Sequence, residues 1–120
     1  MVADKVLVVD DSPTDLHLIT GYLVNNGYTA LSASSGEEAL TRAYMDKPDL
    51  ILMDIVMPGM NGYEATRALR TNPNTASIPI MIISSRRQDS DRIWGMRQGA
   101  KDYLVKPISE EALIEKIRAL

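Results

Sequence analysis

Five short, mostly apolar runs, Lys5–Val9, Thr29–Ala33, Leu50–Met53, 79–84 and 101–105, recur at similar intervals and constrain this chain most. A strand with one wet face alternates apolar and polar residues. Near-continuous Val, Ile, Leu and Met instead belong to strands covered on both faces. The segments between the runs are helical in pattern. Residues 13–26 set Leu16, Ile19 and Leu23 near one face, with Pro13 at a first helical position and Gly27 as the stop. Ser35-Gly36-Glu37-Glu38 reads as a capping box, the serine accepting from the third helical amide while Glu38 reaches back to the cap. Residues 61–70, 89–98 and 109–120 supply three more helices, the last with Leu113, Ile114, Ile117 and Leu120 on one stripe. Strand–helix alternation five times over predicts an α/β fold, a (βα)5 doubly wound parallel sheet with helices on both faces. Residues 1–120 are expected to form one domain, with no linker, internal repeat or low-complexity stretch.

Composition agrees with a single packed core. At 45% hydrophobic and 24% charged the chain sits at the globular average, which argues against intrinsic disorder. Lys and Arg number 13 against 16 Asp and Glu, a net charge of −3. Without a basic run, nucleic acid is not expected as a partner. The absence of cysteine excludes a disulfide scaffold, a zinc-thiolate site and a thiol nucleophile. No apolar run reaches the roughly 18 residues needed to span a bilayer, and residues 1–4 carry no signal pattern. The chain therefore reads as a cytoplasmic domain with no membrane attachment.

Open sheets of this kind bind ligands beyond the carboxyl ends of their strands, where the strand order reverses. Strand one runs into Asp10-Asp11, strand three into Asp54, strand four ends in Ser84-Ser85, and strand five runs into Lys106-Pro107. Each of these has a plainer use, because Asp and Ser after strands are common helix caps and Asp11-Ser12-Pro13 is a good helix start. The combination is harder to explain that way. Three carboxylates about 5 Å apart repel by about 3 kcal/mol per pair at an effective dielectric near 20. Such a group either raises its pKa values or holds a cation. Oxygen donors with no His or Cys nearby suit a hard ion, Mg²⁺ first, which phosphate oxygens commonly complete. Lys before Pro suggests a fixed turn, with a cis peptide as an option, that aims the ammonium inward.

Four stretches carry a resemblance that spans almost the whole chain: Val8-Val9-Asp10-Asp11-Ser12; residues 52–62, from Leu52-Met53-Asp54 to Asn61-Gly62; Ile82-Ile83-Ser84-Ser85; and residues 99–107, from Gly99-Ala100-Lys101 to Val105-Lys106-Pro107. In order and interval the chain resembles the receiver domains of two-component response regulators. Within that family it looks most like the single-domain, chemotaxis-like receivers of type IV pilus (twitching motility) systems, on residues 53–62 and 94–103. The resemblance implies the strand order 2-1-3-4-5. It implies that Asp54 accepts a phosphoryl group from a phosphohistidine on a histidine kinase. It also implies that Asp11, Asp54 and the Val56 carbonyl ligate Mg²⁺, with Asp10 acting through a coordinated water. Ser84 would offer its hydroxyl to a phosphoryl oxygen, and Lys106 would offset the charge gathered there. Val56 and Arg86 would flank the path of a hydrolytic water. Ser84 moving inward would let Tyr103 turn from solvent into the vacated space, remodelling a partner surface on helix four, strand five and helix five. Trp94, Met96 and Arg97 fall on that helix; for Trp94, core packing is the favoured use and partner contact the second.

Other residues are set aside. His17 has no ligand companions and reads as a surface or boundary residue, and the seven Met residues read as core filler. Three other functions compete. A phosphatase with an aspartyl nucleophile usually carries a second acid two residues on, where this chain has Val56. A flavodoxin-like nucleotide or flavin module needs a Gly-rich loop after strand one, where this chain has Asp10-Asp11. A receiver that only scaffolds partners would not keep every chemical position filled. With residue 120 closing helix five and no output domain following, the expected action is docking, as a monomer or weak homodimer. A phosphate sink that drains a shared kinase is the alternative.

Overall fold

Lys5–Val9 (β1), Thr29–Ala33 (β2), Leu50–Met53 (β3), Ile80–Ser84 (β4) and Asp102–Val105 (β5) pair in parallel as one sheet, ordered β2-β1-β3-β4-β5. The helices between them are Pro13–Asn25 (α1), Gly36–Asp46 (α2), Gly62–Thr71 (α3), Asp89–Arg97 (α4) and Glu110–Arg118 (α5). This computed structural model describes residues 4–120; residues 1–3, where the sequence carries no signal pattern, lie outside them.

The continuous apolar strands serve two cores at once, because successive side chains point to opposite faces. Val6, Val8, Leu50, Leu52, Met81 and Ile83 pack under α1 and α5, against Ile19, Leu23, Leu113, Ile114 and Ile117. Leu7, Val9, Ile51, Met53 and Ile80 pack on the other face under α2 and α3, against Ala39, Ala43, Ala65 and Leu69. A small third cluster of Ile55, Ile82, Ala100 and Tyr103, joined by Tyr63, lies beside α4. Between them these clusters take up every residue of β3 and the first four of β4, and Ser84 at the end of β4 is buried as well.

Four expectations need correction. β2 is an edge strand with only Ala33 buried, so covering on both faces holds for the inner strands and fails here. Leu120 is 41% exposed, because α5 ends at Arg118 and Leu120 lies beyond its last turn. Met45 and Met96 are exposed, whereas Met53, Met57 and Met81 fill the core as read. At α2, Ser35 Oγ accepts from the Glu38 N–H at 3.1 Å, but the Glu38 carboxylate receives the Ser34 N–H at 2.6 Å, one residue beyond the expected cap. A complete capping box is instead formed by Asn61 and Glu64 at α3. Among the described residues no helix is long and apolar enough to cross a membrane.

Candidate functional site

The sheet order reverses beside β1, whose neighbours are β2 and β3, and the carboxyl ends of β1 and β3 carry the acids. Asp10, Asp11 and Asp54 each offer a carboxylate oxygen, and these oxygens lie within 4.8 Å of one another. Asp10 and Asp54 are 2% and 7% exposed, while Asp11 faces solvent. Backbone pairing sets their positions. The Asp54 N–H donates to Val9 O at 2.9 Å and the Asp10 N–H to Ala33 O at 3.0 Å, which extends the ladders into the loops. Gly62 opens α3 against the peptide of Asp54: a Cβ there would stand 2.0 Å from Asp54 O, so only glycine fits.

Asp10 is fully engaged. Its Oδ1 accepts from the Ser12 N–H at 2.9 Å and its Oδ2 from Lys106 Nζ at 2.7 Å. The backbone N–H of Lys106 continues the sheet by donating to Ser84 O at 2.8 Å, and the Lys106–Pro107 peptide is cis, the option read from the sequence. From there the ammonium also reaches Asp15 at 2.9 Å and stands 3.7 Å from Asp54 Oδ1. Burial and the neighbouring Asp10 charge push the Asp54 carboxyl up to about 6, against the opposing pull of Lys106 and the Ile55 N–H. For Lys106, burial works against the ammonium, yet the hydrogen bonds to Asp10 and Asp15 and the charge of Asp54 outweigh it and raise its pKa.

Ser84 is completely buried at the end of β4, and its Oγ accepts from the Arg86 N–H at 3.2 Å. Tyr103 points inward: its ring is 5% exposed and its hydroxyl donates to Arg86 O at 2.8 Å. The expected partner surface therefore loses Tyr103 in this arrangement, whereas Arg97 is exposed as expected. Trp94 is 50% exposed, which overturns core packing as its use. The α4 face instead carries Ile93, Trp94 and Met96, with Val105 exposed on β5. Val56, two residues after Asp54, is exposed, Arg86 pairs loosely with Asp91 at 3.7 Å, and His17 is on the surface as read. Sequence reasoning missed Asp15, an acid in the first turn of α1 that looks like an ordinary favourable helix charge. Its place one turn beyond Asp11, on a helix starting at the site, is the signal that could have singled it out. It also missed Tyr63, whose hydroxyl donates to Asp91 O at 3.1 Å and ties α3 to α4.

A doubly wound sheet with three acids and a lysine gathered at its carboxyl edge is the architecture of a signalling receiver domain. The sequence profile of the response regulator receiver domain matches residues 6–118, and the chain belongs to that family. It is 46% identical over 116 residues to Protein PilH of Pseudomonas aeruginosa, covering 97% of this chain and 96% of PilH. The fold is similar to that of the Vibrio cholerae chemotaxis protein CheY4, with a TM-score of 0.92, 31% identity and 98% of each chain covered. It is also similar to the BeF3-activated receiver domain of Klebsiella pneumoniae RstA, with a TM-score of 0.90, 30% identity and 97% of each chain covered. The chain is thus a response-regulator signalling switch, of a family whose members are generally not enzymes.

Proposed function

We propose that this chain is a phospho-accepting switch in which Asp54 takes a phosphoryl group from the phosphohistidine of a histidine kinase. One observation carries the reading: a buried Asp54 oxygen within 4.8 Å of oxygens from Asp10 and Asp11, with the Lys106 ammonium 3.7 Å from Asp54. An Asp54 oxygen attacks phosphorus in line, the P–N bond to the donor imidazole breaks, and an acyl phosphate results. The donor set is oxygen alone and fits Mg²⁺, which Asp11, Asp54 and the Val56 carbonyl would hold, with Asp10 acting through a water. Such an ion supplies charge neutralisation to the phosphoryl oxygens. Lys106 and the Ser84 hydroxyl would take the remaining phosphoryl oxygens, and Val56 and Arg86 would screen the acyl phosphate from water. Self-dephosphorylation by the same pocket would be slow.

The readout is a change at α4, β5 and α5, through Ser84, Arg86 and Tyr103. The exposed Ile93, Trp94 and Met96 favour docking to a protein partner over a phosphate sink, which needs no such face. Similarity to PilH supports a chemotaxis-like role in a pilus, twitching-motility pathway, as a cytoplasmic single receiver domain, monomeric or weakly dimeric. An aspartyl phosphatase is disfavoured by Val56, which puts no second acid beside the nucleophile. Mass spectrometry after acetyl phosphate tests the reading. Addition of one phosphoryl group is expected with Mg²⁺ and not without it, and not for Asp54→Asn; an unmodified wild type would overturn it.

A further inference from the structure

Lys106 is shared among three acids, and only two hold it at hydrogen-bond distance. Its Nζ lies 2.7 Å from Asp10 and 2.9 Å from Asp15, against 3.7 Å from Asp54. The two acids differ in what they can give up. Asp10 is 2% exposed and has the Ser12 N–H on its other oxygen, so losing Lys106 would strand a buried charge. Asp15 has a side chain 38% exposed and water at hand to replace the ammonium. Its backbone is nonetheless fixed, since the Asp15 N–H donates to the Ser12 cap at 3.3 Å. The cleft on this side of Lys106 is mostly apolar, lined by Leu18, Ile19, Pro107 and Ile108 with Ser85, and among the described residues Asp15 is its only acid.

We propose that Asp15 is a positioning residue that holds the Lys106 ammonium back from Asp54 in the resting protein and yields it when a phosphoryl group arrives. This rests on the phospho-acceptor reading of Asp54. A phosphoryl group brings nearly two negative charges, against the one on Asp15. Lys106 then keeps its bond to Asp10 and exchanges Asp15 for a phosphoryl oxygen, while Asp15 returns to water. Asp15 thereby sets how tightly the site holds the group, by competing for the cation that receives it.

The test uses the whole chain with Mg²⁺ and beryllofluoride, a phosphoryl mimic, titrated calorimetrically. Asp15→Asn is expected to bind beryllofluoride about twofold to fivefold more tightly than wild type, the range of one partly exposed charge pair. Asp15→Glu should return the affinity to the wild-type value. A role confined to the start of α1 would shift Tm and leave this affinity alone, and unchanged or weaker binding by Asp15→Asn would overturn the inference. A second measurement needs no mimic: urea unfolding of Asp15→Asn, Lys106→Met and the double variant. Non-additive effects on the unfolding midpoint are expected. Additivity would overturn the resting contact even if beryllofluoride binds normally. Non-additivity with no beryllofluoride binding by the wild type would instead overturn the phospho-acceptor reading, and this inference with it.

Discussion

Asp54 is held where its own charge is unwelcome, which makes an ionised carboxylate costly to keep there. Its folded pKa of about 6 stands above the ordinary aspartate value near 3.9. As pH rises, the unfolded chain gives up this proton first, so stability falls between about pH 4 and 6 and stays lower above that. In chelated buffer Asp54→Asn is therefore expected to be more stable than wild type at pH 7.5, by up to about 2 kcal/mol, with the gap closing towards pH 4. Urea unfolding at the two pH values measures it, and a gap that widens on acidification would contradict this account of the site. Gly62 makes the opposite point, since it is needed for space alone. A methyl group 2.0 Å from Asp54 O meets backbone that cannot give way. Gly62→Ala should cost about 3 kcal/mol or more by displacing the start of α3. A Tm within a degree or two of wild type would show that the loop can relax.

Among the helices, α4 is the one most weakly held. Its only buried residue is Gly95, where a Cβ would stand 2.6 Å from Ile82 Cδ1, so the helix lies close on β4 through a bare backbone patch. By contrast α5 buries Leu113, Ile114 and Ile117, and α3 buries Ala65, Thr66 and Leu69. Few buried apolar contacts mean cheap local opening, so the amides of α4 should exchange with solvent well before those of α3 and α5. Hydrogen exchange followed by mass spectrometry would read this, and equal protection of α4 and α5 would sink it. What was legible in the sequence follows the same physics. Inner strands buried on both faces read clearly, because burial leaves residues such as Ile51-Leu52-Met53 no choice but to be apolar. The gathering of Asp10, Asp11, Asp54 and Lys106 at the strand ends was legible too, because acids and a lysine there have few structural substitutes. The edge strand β2, the exposure of Trp94 and the inward setting of Tyr103 did not. An aromatic at helical spacing looks the same whether it packs or waits for a partner, and which way Tyr103 turns depends on the loop above it. Asp15 escaped because its partner Lys106 lies 91 residues away along the chain.

Both cores rest on the same inner strands, so the acids at the ends of β1 and β3 are tied to the stability of the whole chain. A ligand that binds only the folded arrangement must then raise global stability. At a hundredfold excess over its dissociation constant the gain is about 2.7 kcal/mol. For a domain of this length each kcal/mol is worth about 3–6 °C in Tm, so Mg²⁺ at that excess should raise the wild-type Tm by about 8–16 °C at pH 7.5. Nonspecific screening of a net charge of −3 would also stabilise the chain, but sodium chloride at matched ionic strength would then do as much. Asp11→Asn separates the two effects. Asp11 is the exposed member of the triad, so its loss removes a donor without leaving a buried charge unpaired, and the folded state should survive it. Calorimetry in chelator, in sodium chloride and in Mg²⁺ should therefore show a magnesium-specific rise for wild type that is mostly lost in Asp11→Asn. The same rise in both proteins would mean that the acids respond to ionic strength alone, and that no cation is held among them.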